Sequence, residues 1–205
     1  MTLPTTYSWS PIGERLQVAY EAPQGRRVNA IGAYCSHGVE AGRFVFETYA
    51  TLPKSRAKKS HKSLEEVAAK HDLLASEIGP IDAERLVAFL WKIAGRSPIH
   101  AENWRRERLL VIALDNYSVH VCERVQQERP RLEAADVYLC YLPSYSPELS
   151  RIEPIWHDVK HHDLTERSHE QLGRLKHTVD EALTNKAEHL GNTQAITDHL
   201  LRMAA

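Results

Sequence analysis

The sequence predicts an α/β fold, and two short apolar runs separated by a helical segment carry that prediction. Residues 109–114 (LLVIAL) and 137–142 (VYLCYL) have the character of strands that are buried on both faces of a sheet. The segment 119–128 between them favours a helix, and the order strand, helix, strand favours a right-handed parallel crossover. The 205 residues, 42% of them hydrophobic and 26% charged, have ordinary globular composition, so we expect one buried core.

A hairpin is predicted before these strands. Residues 27–35 (RVNAIGAYC) and 43–50 (RFVFETYA) are rich in β-branched and aromatic side chains, and glycine and serine separate them. Together with the parallel pair, these strands predict a mixed sheet with flanking helices.

Capping residues and apolar spacing predict the helices. They are 63–74, capped by Ser63 with Glu66 three positions on; 82–95, from Asp82 to Gly95; 152–162; and 168–183, capped by Ser168. The tail after Gly191 is expected to be a short helix or a fraying end, so we divide the chain into a domain, 1–190, and a tail, 191–205.

The charge balance excludes bulk basicity as a reason for nucleic-acid binding. The formal net charge is −1 and the pI is near 6.9, so DNA contacts would have to be local. The densest basic cluster consists of Lys54, Arg56, Lys58, Lys59 and Lys62. This cluster either contacts a phosphate backbone or is a solvated surface.

Cysteine usage and hydropathy indicate a cytoplasmic protein. Cys35, Cys122 and Cys140 form no CxxC pair, which suits buried thiols in a reducing compartment. No apolar run approaches the roughly 18 residues of a membrane span, and no signal-peptide pattern opens the chain.

Two carboxylates follow the two predicted parallel strands. Asp115 comes directly after the first strand, and Glu153 opens the helix beyond the second. Because ligands bind outside the carboxyl ends of parallel strands, these acids could converge on one site. The alternatives are that Asp115 caps a helix and that Glu153 interacts with a helix dipole.

The residues around these acids resemble a known family. LDNYSVH at 114–120, YLPSYSPELSRIEPIW at 141–156 and Lys160 resemble the last two acidic motifs of DDE-type transposases of the mariner-like superfamily, in its bacterial insertion-sequence branch. YSWSPIGER at 7–15 and RRVNAIGAY at 26–34 resemble the region after the family's first catalytic aspartate. The resemblance implies a ribonuclease H-like fold and DNA transposition by metal-dependent cleavage and strand transfer of transposon ends.

By the same resemblance, Asp115 and Glu153 are catalytic ligands for Mg²⁺ or Mn²⁺. Mg²⁺ prefers oxygen ligands, and two metal ions neutralise charge on both the attacking and the leaving oxygen of a phosphodiester. Asn116 and His120 belong to the second motif, where they orient the aspartate, touch phosphate or serve local packing. Lys160 lies seven residues after Glu153 and either meets a DNA phosphate or is solvated.

The sequence departs from the family pattern in three places. The earliest acids, Glu14 and Glu21, do not fit the first catalytic aspartate, Ser150-Arg151 stands where Asn-Pro is frequent, and the helix-turn-helix region is lacking. We therefore expect a partial catalytic domain without its first, central strand, inactive alone, whose partners are DNA, an upstream-frame polypeptide or a second copy. The alternative is an inactive remnant that binds DNA or pairs with intact transposase.

A zinc hydrolase is a further alternative from another enzyme class. Glu153, His157 and His161 recur at i, i+4 and i+8, which places them along one face of a regular helix. The HExxH pattern is absent, and the outer two side chains would start about 12 Å apart along the helix axis.

Overall fold

The computed structural model describes residues 27–52, 63–144, 146–164 and 171–204. Its helices and strands are, in order, β1 (Arg27–Tyr34), β2 (Phe44–Thr51), α1 (Leu64–Ala69), α2 (Ala83–Ala94), β3 (Leu110–Leu114), α3 (Glu123–Ala134), β4 (Val137–Tyr141), α4 (Glu153–Asp158) and α5 (Leu172–Ala204). A π-helical turn, Val159–Asp163, follows α4. The α/β prediction is confirmed. The basic cluster 54–62, the Ser168 cap and the motif at 7–15 lie outside the described residues.

The strands form two separate sheets among the described residues. β1 pairs with β2, as the predicted hairpin requires, and β3 pairs with β4 in parallel, as the predicted crossover requires. Ile112 and Leu139 are neighbours on the buried face of the β3–β4 sheet, whereas Val111 and Tyr138 are neighbours on its other face, 55% and 39% exposed. Among the described residues, the predicted mixed sheet is therefore present as two small sheets, one hairpin and one parallel pair.

Helix α2 confirms its prediction at both ends. The Asp82 side chain accepts a hydrogen bond from the Arg85 N–H at 2.9 Å, which satisfies one of the free donors of the first turn. Gly95 ends the helix in the left-handed conformation, φ 87°, where a side chain would be strained. Between the caps, Leu90 and Trp91 have no exposed surface, so the helix is held by its apolar face.

The bounds of the other helices differ from the predicted ones. The Ser63 cap of α1 is confirmed by its bond to the Glu66 N–H, but the helix ends at Ala69 and a 3-10 turn, Ala75–Glu77, follows. Helix α3 starts at Glu123, because the residues before it form a turn in which the His120 N–H donates to the Tyr117 carbonyl.

Helix α5 is longer than predicted. It continues through Gly191 to Ala204, where a short helix or a fraying end was expected. Two threonines, Thr193 and Thr197, donate to carbonyls one turn back, and Gln194 bonds to Asp198 four residues on. The Gln194–Asp198 pair favours continued helix here, whereas the threonine bonds only satisfy their own hydroxyl groups.

The described residues divide into two compact units. The first contains 27–30, 48–52, 63–80, 156–164 and 171–188, and the second contains 31–47, 81–144, 146–155 and 189–204. In the second unit, α2, α3, β3 and β4 share one apolar core that includes the fully buried residues Leu90, Val125, Leu132 and Val137. That core supports the strand ends where the candidate catalytic acids were predicted.

The first unit has a smaller core and a buried cation. Its apolar cluster contains Ala50, Ala68, Ile78 and Leu172. A side chain at Gly173 would collide with the His71 carbonyl oxygen, so α5 approaches this backbone closely. Lys176 is only 7% exposed; its ammonium group lies 2.9 Å from Glu77 and 2.7 Å from Asp180, so the buried charge is paired.

A buried carboxylate links α2 to α3 in the second unit. The Glu128 side chain, 4% exposed, accepts from the Trp91 indole at 3.0 Å and forms ion pairs with Arg124 at 2.8 Å and Arg131 at 2.6 Å. Burial alone would raise the pKa of Glu128, but the bonds from Arg124 and Trp91 and the charge of Arg131 outweigh burial, and the pKa lies below its ordinary value of 4.5. The ionised form is therefore the one that the fold stabilises.

We expect Glu128→Gln to lower the free energy of unfolding by about 1–3 kcal/mol at pH 7, since two guanidinium groups lose their counter-charge in a buried site. A carboxylate with a lowered pKa stabilises the fold above its unfolded pKa, and this contribution is lost as pH falls through the folded value. The difference between the two proteins should therefore narrow below about pH 4.5. Urea unfolding at several pH values measures it.

The matched control is Glu133→Gln on the same helix. Glu133 pairs with Arg129 at 2.8 Å, but both side chains are about two-fifths exposed, so the expected change is under about 1 kcal/mol. Equal losses for the two variants would show that the buried network adds nothing specific.

Candidate metal-dependent nuclease site

Asp115 stands where two parallel strands end together. It directly follows Leu114, the last residue of β3, which is paired with Tyr141, the last residue of β4. One residue further, the Leu142 N–H donates to the Leu114 carbonyl at 2.8 Å, and the Asn116 amide donates to the Leu142 carbonyl at 2.7 Å. The chain segments that leave the two strands are thus hydrogen-bonded to each other beside Asp115.

One carboxylate oxygen of Asp115 is engaged locally. Oδ1 accepts the Tyr117 N–H at 3.0 Å, as aspartates in turns commonly do, and lies 2.6 Å from Nδ1 of His120. The side chain of Asp115 is nevertheless 64% exposed, and that of His120 is 22% exposed. Since both contacts use Oδ1, the other oxygen, Oδ2, is available to a ligand from solvent.

Tyr141 positions the turn that carries His120. Its hydroxyl donates to the His120 carbonyl at 2.9 Å and accepts from the Gln126 side chain at 2.9 Å. The turn is therefore tied to the end of β4 and to helix α3. Sequence reasoning did not assign Tyr141 or Gln126 to the site, because bonds between residues 15 to 21 positions apart leave no periodic signal.

Glu153 is the first residue of α4 and is exposed. Its N–H donates to the Ser150 carbonyl at 3.2 Å, and Ile155, 6% exposed, anchors the start of the helix. Asp115 and Glu153 belong to the same compact unit, one after each strand of the parallel pair. Their joint action on one metal ion stays a prediction.

Lys160 does not continue a regular helix from Glu153. The α-helical stretch ends at Asp158, and Lys160 lies half-buried in the π-helical turn. The prediction of a shared face assumed 3.6 residues per turn over the whole segment, so it no longer follows from the spacing.

The histidines after Glu153 are also arranged differently from the zinc alternative. The rings of His157 and His161 stack with centroids 4.2 Å apart. Among the described residues, the only group of three side chains with metal-ligand atoms within 4.8 Å of one another is His157, Asp158 and His162. Glu153 and His161 take no part in it.

The structure bears on two predictions, one about the cysteines and one about membrane-spanning helices. Cys35, Cys122 and Cys140 are free thiols, as predicted, but the prediction that they are buried is wrong: Cys35 and Cys122 are half-buried and Cys140 is exposed. Partial burial raises the pKa of Cys35 above its ordinary value of 9.0. Within the described ranges, no helix combines the length and the apolar character needed to cross a bilayer.

A comparison with known protein families identifies the family of this chain. A family model described as DDE superfamily endonuclease matches residues 67–176, more than half of the chain, and the matched segment contains Asp115 and Glu153. The chain belongs to the DDE superfamily endonucleases. A search of curated proteins finds no match. Membership indicates nuclease or transposase chemistry on DNA, and endonucleases of this superfamily generally use divalent metal ions.

We expect Asn116→Ala to loosen the joint between the two strand ends, because the Leu142 carbonyl loses its amide donor. One hydrogen bond contributes about 1 kcal/mol, so the amide hydrogen of Leu142 should exchange with solvent roughly fivefold faster. Hydrogen-exchange NMR measures this rate together with that of Leu139 in the middle of β4, which should stay unchanged.

Ser118→Ala in the same turn is the control for a general effect of mutation. Faster exchange of Leu142 in both variants, or faster exchange along all of β4 in Asn116→Ala, would contradict a local role for the Asn116 amide.

Proposed function

We propose that this chain is part of the catalytic domain of a DNA transposase of the mariner-like branch, which cleaves transposon ends and joins them to target DNA in the bacterial cytoplasm. The observation that supports this most is the position of Asp115 at the joined ends of β3 and β4, within a segment that matches the DDE endonuclease family. Glu153 follows the second of these strands in the motif that resembles the family's last acid.

The donor atoms fit a hard divalent cation. Asp115 keeps Oδ2 available and is largely exposed, and the carboxylate of Glu153 is exposed as well. Carboxylate oxygens are the ligands that Mg²⁺ and Mn²⁺ prefer, and no thiolate is needed. When bound, such ions neutralise charge on the oxygens of the phosphodiester under attack.

His120 acts as a positioning residue in this proposal. Its contact with Oδ1, together with the Tyr117 N–H, fixes the rotation of the Asp115 carboxylate, so that Oδ2 points in one direction. Ligands that are oriented by neighbouring hydrogen bonds bind metal better than freely rotating ones. Asn116 acts at longer range, through the Leu142 carbonyl.

We further propose that a third carboxylate, at the end of a further strand, completes the centre. Residues 27–52 and 63–144 offer no acid in the sequence context of the family's first motif, and Glu14 and Glu21 do not fit it. A polypeptide segment that carries a strand ending in aspartate is the proposed source.

We expect the purified chain alone to leave supercoiled plasmid uncut in Mg²⁺. Addition of a polypeptide with the missing strand and its aspartate should produce nicking, and Asp115→Asn or Glu153→Gln should abolish it, because each removes a charged ligand. Agarose gels of nicked and closed plasmid provide the measurement.

Asp136→Asn is the matched control for these variants. Asp136 precedes β4, at the opposite end of the sheet, and pairs with Arg105. Its φ of 61° is one that asparagine adopts readily, so the backbone is not strained by the change. This variant should nick normally. Nicking by these 205 residues alone that Asp115→Asn abolishes would disprove the need for the added strand and its aspartate.

We also expect nonspecific DNA binding that weakens steeply with salt, with contacts from Lys54, Arg56, Lys58, Lys59, Lys62 and Lys160. Replacement of both Lys58 and Lys59 by alanine should flatten the slope of log K against log salt by up to about 2 units, since each phosphate contact releases close to one counterion. Fluorescence anisotropy with labelled duplex DNA at several salt concentrations measures the slope.

Lys70→Ala is the control, because Lys70 is exposed at the end of α1, outside the basic cluster. An unchanged slope in the Lys58/Lys59 double variant would show that the cluster is only a solvated surface.

A further inference from the structure

The π-helical turn after α4 brings together side chains that a regular helix would keep apart. Residues five positions apart on an α-helix point about 140° away from each other, as 3.6 residues per turn requires. His157 and His162 are five apart, yet their ring centroids lie 6.3 Å from each other. Single π-helical turns next to or within α-helices occur frequently at functional sites.

The wide turn is fixed by two buried apolar residues and one backbone hydrogen bond. The Leu164 N–H donates to the Val159 carbonyl at 3.0 Å, a bond that spans five residues. Val159 is fully buried and Leu164 is 8% exposed, so both ends of this bond are anchored by apolar contacts. The polar side chains between and before them therefore project from a defined backbone.

We propose that His157, Asp158 and His162 form a binding site for a divalent transition-metal ion of the Zn²⁺ type, distinct from the carboxylate centre at Asp115. Their ligand atoms already lie within 4.8 Å of one another. Tetrahedral Zn²⁺ with bonds of about 2.1 Å needs separations of roughly 3.4 Å, which side-chain rotation can supply. All three residues are exposed, so an ion can enter from solvent.

The ligand chemistry separates this site from the nuclease centre. Two imidazoles and one carboxylate suit Zn²⁺, Co²⁺ or Ni²⁺, whereas Mg²⁺ favours oxygen ligands alone. Three protein ligands leave a fourth position for water, so the site is open. His161 lies next to His162 in sequence but stacks on His157, with planes 22° apart, and is not a ligand.

One cation already neighbours the site. The Lys186 ammonium group lies 3.4 Å from Asp158 Oδ2 and 3.1 Å from Asp163 Oδ2. It competes with a metal ion for the Asp158 carboxylate and repels its charge. Removal of this charge in Lys186→Gln should therefore strengthen metal binding.

The test is competition for Zn²⁺ between the purified chain and a chromophoric chelator. His161→Phe and His162→Phe form a matched pair, because each replaces one imidazole of the same turn by an aromatic ring of similar shape. His162→Phe should weaken zinc binding by more than about tenfold, as loss of a direct ligand must exceed the loss of a supporting contact. His161→Phe should leave it within about twofold, a change of at most 0.4 kcal/mol at RT of about 0.59 kcal/mol.

Asp158→Asn provides a second variant should the aromatic replacement unfold the turn, and circular dichroism monitors folding in each case. Co²⁺ in place of Zn²⁺ should give the visible absorption of a four-coordinate ion, which His162→Phe abolishes. Asp136→Asn, which alters neither proposed metal site, should bind zinc as the unaltered chain does. The zinc titration involves no DNA cleavage, so its outcome is independent of the nuclease proposal. Equal weakening by His161→Phe and His162→Phe, or no saturable binding of Zn²⁺ at all, would overturn the assignment.

Discussion

The parallel pairing of β3 with β4 is the constraint on which the candidate catalytic centre depends. Parallel strands end at the same edge of a sheet, so the residues that follow Leu114 and Tyr141 emerge side by side. The crossover helix α3 covers one face of the pair and shares its core. The Asn116 amide then joins the two exits, and Asp115 is held beside that joint.

The parts of the fold that are encoded locally could be predicted from the sequence. Asp82 and Gly95 mark the ends of α2 because capping depends on residues within one turn of the helix end. The runs 109–114 and 137–142 predict β3 and β4 because short apolar segments bounded by turn residues favour strands over helices. The prediction that both faces of these strands are buried is wrong, since Val111 and Tyr138 are exposed on one face. Once residues 109–114 are predicted as a strand, the placement of Asp115 at the end of that strand follows from its position in the sequence.

Features that depend on distant partners could not be predicted in the same way. Helix α3 starts late because a turn precedes it, and the Tyr141 hydroxyl in β4 stabilises that turn by donating to the His120 carbonyl. The sequence around the turn does not predict this distant hydrogen bond. The zinc alternative failed because it assumed one helical period from Glu153 to His161, whereas the period changes at Val159. The arrangement of the strands in one mixed sheet also stays beyond local signals, because pairing between distant strands is a long-range property that strand propensity does not determine; the described strands form two small sheets.

Because Asp115 is exposed, replacing it would change the chemistry of the sheet edge without lowering the stability of the fold. Leu132, Val137 and the other buried residues of the second unit pack without any help from the two acids at the sheet edge. A gene copy that loses either acid by random mutation would therefore still encode a stable, folded protein. Such a copy would differ from an intact one in the chemistry of its surface and not in its expression or thermal stability, so a folding assay would not distinguish the two.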